Sequence, residues 1–343
     1  MAASVPVEAI VRDPRWLAHR YQPSGDLVGF LEVPRDRRAS VPFLTDSNLE
    51  GCGAPVGQRR TAAVAAAPPA AALAFLFHSA FCCSTLLANA LDTAGSASVL
   101  KEPVILNDLA GWGQQGAPPA ALSAVLADIL RLLARPFEPG ESMVLKPSNV
   151  IGGLVPRMLE AAPSAPALLL HAPLETFLAS VAAKGLEGRL WVRELAWKLG
   201  RDGLLDFGFD TEGRFRHTDL QVAALAWLGQ QRQFARLVEG DTTGRLRTLD
   251  SERLLANPKP ALVALHAHFR LSLAPETITA IARGPAFSRH AKSGKAFDRQ
   301  ARAAVHDAAR AAHADEIDKV ARWARAVAAH ARVPMTLAAP LLS

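Results

Sequence analysis

From Ala71 onward the chain repeats one texture, and that repetition limits the fold more than any other feature. Short apolar runs alternate with helix-like segments: "ALAFLF" (72–77), "ASVL" (97–100), "SMVL" (142–145), "PALLL" (166–170) and "RLRTL" (245–249). Among the helical patterns, residues 119–135 place Leu122, Val125, Leu126, Ile129 and Leu133 on one face, and Pro136 stops them. Residues 172–184 begin Ala-Pro-Leu-Glu, with Pro173 in the first turn and Glu175 near the positive helix end. Residues 219–238 carry Leu220, Ala224, Trp227, Leu228, Gln231 and Phe234 in a similar stripe. Alternating strand and helix implies a parallel sheet covered on both faces. The expected class is α/β: a parallel β-sheet flanked by helices in three layers.

The rest of the chain is less regular. "LVGFLEV" (27–33) and "SVPFL" (40–44) are expected to pair as a hairpin across "PRDRRA". The Gly-, Pro- and Ala-rich stretch from Gly51 to Ala72 reads as a connector. The tail, 298–332, is a long Ala/Arg helical pattern, expected to be a largely solvated surface helix. The expected organisation is an N-terminal extension over 1–70, an α/β domain over 71–298 and a helical tail over 299–343 packed on it. Half of the 343 residues are hydrophobic, enough for one large domain with additions.

Composition narrows the setting. Cys52, Cys82 and Cys83 make a poor disulfide framework, so a reducing, cytoplasmic compartment is expected. The N-terminus lacks a signal-peptide layout, and no apolar run reaches membrane-spanning length. No Cys/His cluster has zinc-finger spacing, and no metal is expected. The net charge of +6 suits an anionic ligand. The Lys and Arg residues are scattered rather than striped, so no nucleic-acid partner is expected.

In an open parallel sheet, ligands bind at the carboxyl ends of the strands. Each apolar run exits into an ionisable residue there: His78 before Ser79, Lys101 before Glu102, Lys146, His171 and Asp250. Together these favour an anion-handling site. "FLFHSAFCCSTLLANALD" (75–92) supplies its centre. A strand, a turn of small residues and a helix starting at Ser84 make an anion site by geometry, because unpaired N–H groups and the helix dipole point at the ligand. The backbone of Ser79, Ala80, Phe81, Cys82 and Cys83, with Ser84 and Thr85, is the candidate cradle. The bland alternative keeps Ser84 as a plain helix cap. Cys82 and Cys83 stand where a Walker A turn carries Gly-Lys, which weakens an ATPase or GTPase reading. A helix N-terminus also lowers thiol pKa, so a reactive cysteine is a minor option.

In order, these residues resemble the P-loop sulfotransferase superfamily, bacterial members in particular. "FHSAFCCSTLLANAL" is similar to the family's 5′-phosphosulfate loop, "LKEP" (100–103) to its Lys-Glu-Pro element, and "VLKPSNV" (144–150) to its Lys-Thr-Pro strand end. "LLLHAPLETFLASVAAKG" (168–185) is similar to Arg-Asp-Pro plus a helix bearing a Ser, with His171 in place of the Arg. "LRTLDSERLLANPKPALVALHAHFRLSL" (246–273) and "RHAKSGKAFD" (289–298) resemble the later helix and the basic Gly loop. The resemblance implies a P-loop NTPase-like sheet. It implies 3′-phosphoadenosine-5′-phosphosulfate as co-substrate, without metal, and a small-molecule or peptide acceptor. It puts the 5′-phosphosulfate on residues 79–85, and the 3′-phosphate on Ser180, Lys292, Lys295 and His171. Glu102 is the candidate base, with His78 as its competitor. The family's loop Lys or Arg is absent, since Ala80 and Phe81 stand there. Compensating charge must come from His78, Lys101 or Lys146. A kinase-like phosphotransferase, with Asp92 or Asp250 near a metal, and a non-catalytic nucleotide binder are the alternatives. Insertions at 105–120 and 185–218 are where an acceptor would be chosen.

Overall fold

The computed structural model describes residues 5–284, 287, 304, 308 and 310–342. Three strands, β1 (Trp16–Gln22), β2 (Leu27–Glu32) and β3 (Val56–Arg59), form an antiparallel sheet in that order. Five more form a parallel sheet: β4 (Leu73–His78), β5 (Ala97–Lys101), β6 (Ser142–Lys146), β7 (Ala167–His171) and β8 (Leu246–Asp250). Their spatial order is β5-β6-β4-β7-β8. The expected α/β class is therefore observed, with helices on both faces of a parallel sheet. Each of these strands ends on the ionisable residue expected directly after it: His78, Lys101, Lys146, His171 and Asp250.

The sheet separates two cores because successive strand side chains point to opposite faces. Ala74, Leu76, Val144, Leu168 and Leu170 face one core, with Phe177 and Trp227 from the helices. Phe75, Phe77, Leu145 and Leu169 face the other, with Leu126 and Ile129 from the helix Pro119–Leu133 and Val28 and Phe30 from β2. The N-terminal sheet thus shares a core with the parallel one. All five stripe residues read for residues 119–135 are buried. At about 1.5–3 kcal/mol for each large apolar side chain, that face is what holds the helix to the sheet.

Three expectations are corrected. Residues 27–33 do not pair with 40–44; β2 pairs with β1 and β3. Arg35–Ser40 is a helix, and Leu44 is tied to the parallel sheet instead. Its N–H donates to the Lys101 carbonyl at 2.7 Å, and its carbonyl accepts from the Val104 N–H at 3.2 Å. The stretch read as a connector contains β3 and the helix Arg60–Ala66. The tail helix Ala314–His330 is not mainly solvated on its inner side: Ile317, Val320, Ala321, Ala324 and Ala328 are buried. Their spacing of three and four residues makes a narrow stripe of mostly small side chains, which packs against the first core.

Burial leaves a titration signature. It lowers the pKa of His19, His171, His217, His266 and His268, in each case as the largest cause. Each is held neutral in the fold, whereas the unfolded chain takes up a proton below about pH 6.5. The unfolded state then binds more protons, so stability is present above that pH and is lost as pH falls below it. The melting temperature is expected to drop between pH 7 and pH 5, before the carboxylates titrate. Calorimetry across that window checks this, and a flat profile would refute it.

Candidate active site

The chain leaves β4 for the edge at β5, returns to β6, then crosses β4 to reach β7 and β8. The carboxyl end of β4 is thus where the strand order reverses, the usual crevice for ligands in such sheets. His78 ends β4 there, and the turn 79–83 leads into the helix Ser84–Leu91. Among the described residues, no N-cap side chain bonds that helix. Its N-cap, Cys83, has φ 62°, and Phe81 has φ 56°. Left-handed backbone costs a non-glycine residue about 1–2 kcal/mol. Glu102, at the end of β5, has φ 53°. Three of the seven left-handed non-glycine residues described therefore gather at this edge, at Phe81, Cys83 and Glu102.

Hydrogen bonds hold the turn in that shape. The Ser79 N–H donates to the Leu170 carbonyl at 2.9 Å, and the Ala172 N–H donates to Ser79 Oγ at 3.3 Å. Trp227 Nε1 donates to the Ala172 carbonyl at 2.8 Å, anchoring the same junction from below. Ala80 is buried inside the turn. Phe81 packs on Phe177 and Trp191, with ring centroids 5.7 and 5.2 Å apart. Cys82 is buried and its thiol donates to the Ser79 carbonyl at 2.9 Å. Burial pushes that thiol up to about 12, so Cys82 is a protonated structural group at neutral pH and not a nucleophile. Ser84 and Thr85 are buried at the first turn of the helix.

A charged cluster adjoins the turn. His78 Nδ1 lies 2.8 Å from the Ser79 carbonyl, which can only accept, so Nδ1 carries the proton. His78 Nε2 faces Glu102 Oε1 at 3.6 Å. That carboxylate is ion-paired with Lys146, whose side chain is 0% exposed. Glu102 is therefore one half of a largely buried ion pair. Lys146 Nζ also lies 5.5 Å from the centre of the Phe43 ring. Lys101 serves a different place. Its ammonium donates to the Ala39 carbonyl at 2.8 Å and to Asn89 Oδ1 at 3.0 Å, and burial lowers its pKa to about 8. Lys184, which the sequence reading passed over, lies 6.0 Å from the Phe81 ring centre and is exposed. Its only signal in the sequence is its place directly after the Ser180 helix.

His171 and Asp250 end adjacent strands in register. Both line a cavity of about 350 Å³ bounded by Pro173, Trp227, Arg253 and Arg325. His171 Nδ1 is buried with no hydrogen-bond partner among the described residues. Asp250 caps the helix Ser251–Ala256, accepting from the Glu252 N–H at 2.7 Å. Asp92 accepts from the Val99 N–H at 3.4 Å and lies 3.8 Å from Arg35. Ser180 is buried on the helix Leu174–Ala183, and its hydroxyl donates to the Thr176 carbonyl at 2.7 Å. Lys292 and Lys295 lie outside the described residues. Among the described residues, no helix is long and apolar enough to cross a membrane.

No protein-family model matches the chain. No curated protein matches it either. Solved structures do. A sulfotransferase domain from the curacin biosynthetic pathway aligns with a TM-score of 0.37 at 11% identity, covering 66% of this chain and 84% of its own. A sulfotransferase of Mycobacterium tuberculosis aligns at 0.38 and 16% identity, covering 64% and 72%. The sulfotransferase domain of a Synechococcus olefin synthase aligns at 0.38 and 12% identity, covering 71% and 89%. Over the aligned portions, the chain is similar to these sulfotransferase domains.

Proposed function

We propose that this chain moves a sulfonate from 3′-phosphoadenosine-5′-phosphosulfate to a hydroxyl or amine of a small-molecule or peptide acceptor. One observation carries the reading: an uncapped helix N-terminus at the reversal of strand order, entered through a turn that holds two non-glycine residues left-handed. Strain kept at such a place points to a ligand that uses the backbone it presents. Cys83, not Lys, precedes Ser84 and Thr85, so the turn lacks the side-chain charge that nucleoside triphosphates require.

The residues divide the work as follows. N–H groups of the turn and the hydroxyls of Ser84 and Thr85 hold the phosphosulfate. His78 Nε2 takes the acceptor's proton as the acceptor oxygen or nitrogen bonds to sulfur. The sulfur–oxygen bond to the 5′-phosphate breaks, releasing adenosine 3′,5′-bisphosphate. Lys184 supplies positive charge beside the turn, where one well-placed oxyanion contact is worth about 100- to 1000-fold in rate. His171, Ser180, Lys292 and Lys295 serve the 3′-phosphate side. No disulfide joins Cys52, Cys82 or Cys83, which suits a reducing cytoplasm.

A second reading, a nucleotide binder without turnover, is favoured by the lysines themselves. Lys146 is matched by Glu102, and Lys101 is bonded to Ala39 and Asn89. Melting curves with nucleotides test both. Adenosine 3′,5′-bisphosphate at about 100 times its Kd is expected to stabilise the fold by roughly 2.7 kcal/mol. A shift with ATP–Mg²⁺ and none with the bisphosphate would sink the sulfonate reading in favour of a kinase-like one. Binding without product from any acceptor would leave the second reading standing.

A further inference from the structure

A second cleft opens in the 185–218 insertion, on residues that the turn does not use. Its volume is about 370 Å³, within the range of small-molecule sites. Ala196, Trp197 and Gly200 of the helix Gly185–Arg201 form one wall. Leu205, Phe209 and Leu225 form an apolar floor. Trp197 is 60% exposed, and the Arg201 guanidinium lies 5.2 Å from its ring centre. None of the described residues lies within 4 Å of a Cβ added at Gly200, so the wall is open where a side chain would otherwise fill it.

The charge of the cleft is one-sided. Arg201 and Arg214 line it, and among the described residues no carboxylate does. Arg201 donates to the Gln114 carbonyl and Arg214 to the Phe209 carbonyl, at 2.8 and 3.0 Å. Neither has an ion-pair partner among the described residues. Most of the nearby acids are engaged elsewhere; Asp206, beside Leu205, is exposed and accepts from the Gly208 N–H at 3.5 Å. Asp202 accepts from Gln114 and Gly153, Asp210 caps the helix Thr211–Arg216, Glu212 pairs with Arg216, Glu194 with Lys198 and Asp219 with Arg193. Two guanidinium groups beside an aromatic and aliphatic floor match a flat apolar body that carries one oxyanion.

We propose that this cleft binds aryl carboxylates, aryl sulfonates or aryl sulfates, at a site distinct from the turn at 79–85. The proposal does not depend on sulfonate transfer. Ala196 and Gly200 of the cleft lie roughly 140° and 180° around the helix from Trp191, the residue that meets Phe81, at ~100° per residue. That wall of the cleft is thus turned away from the 79–85 turn.

Titration calorimetry of the full chain with naphthalene-2-sulfonate tests this, with 2-naphthalenemethanol as the neutral comparison. Saturable one-to-one binding is expected, at least about tenfold tighter for the sulfonate, because charge-assisted hydrogen bonds are roughly twice as strong as neutral ones. Arg214→Gln is expected to weaken the sulfonate about tenfold and leave the alcohol unchanged. Gly200→Leu fills the open wall with a better helix former, so it should abolish binding of both without lowering the melting temperature. Naphthalene-2-carboxylate and 2-naphthyl sulfate are expected to compete with the sulfonate. Adenosine 3′,5′-bisphosphate is expected not to displace it. Absence of saturable binding, equal affinity for the alcohol, binding that survives Gly200→Leu, or displacement by the bisphosphate would each overturn the proposal.

Discussion

Glu102→Ala is expected to lower the unfolding free energy by about 3 kcal/mol, the low end of the ~3–5 kcal/mol lost when one partner of a buried ion pair is removed. The low end applies because the Glu102 side chain is 16% exposed, while Lys146 is not exposed at all. Removing the carboxylate strands an ammonium between β6 and the Phe43 ring. The double variant Glu102→Leu with Lys146→Met removes both charges. It should recover most of the loss, since replacing a buried pair by apolar groups of similar size is often neutral or stabilising. Urea titrations of the three proteins check this. A loss under about 1 kcal/mol for Glu102→Ala would mean that the pair behaves as an exposed bridge.

That pair also marks where the sequence stopped being informative. The strand ends at His78, Lys101, Lys146, His171 and Asp250 were legible because each closes a short apolar run, and fully buried strands have no other composition to adopt. The helix start at Ser84 was legible because Leu86, Leu87, Ala90 and Leu91 repeat on one side of it. Which strand-end charges meet was not legible. Lys101 and Lys146 stand in register on neighbouring strands, yet one bonds Ala39 and Asn89 while the other pairs with Glu102. The difference comes from residues far away in sequence, Ala39 and Phe43, carried in by the N-terminal extension. The same extension explains the misread hairpin. Val41 and Leu44 are buried, but Leu44 is bonded at the end of β5 and neither lies in a ladder with β2. β1 escaped notice because His19 is buried within it, held 2.7 Å from Asp46, where a simple alternation would place a polar residue outside. Lys184 was missed because its proximity to Phe81 depends on how the helix Leu174–Ala183 packs against the turn.

His78→Asn is expected to cost about 100- to 10,000-fold in turnover, the usual contribution of a positioned general base. Release of adenosine 3′,5′-bisphosphate per folded molecule, measured with an acceptor present, reads it out. Geometry favours His78 over Glu102. The Glu102 carboxylate is already paired with Lys146, and taking a proton would unbalance a largely buried cation. His78 carries its proton on Nδ1 toward the Ser79 carbonyl, which leaves Nε2 as the basic atom beside the turn. Glu102, at 3.6 Å from Nε2, can stabilise the imidazolium once the acceptor's proton has arrived. Protonating a base beforehand stops it, so the wild-type rate should fall on the acid side, and that limb should vanish in the variant. Nucleotide affinity should change little, because asparagine is close in size and the backbone of 79–85 makes the cradle. Glu102→Gln should slow the reaction less than His78→Asn and should keep the acid limb, since the imidazole survives. The opposite ranking, with His78→Asn near full activity and Glu102→Gln crippled, would return the base to Glu102. In that case the ion pair with Lys146 must open during turnover, and Lys146→Met would then raise the rate rather than lower it.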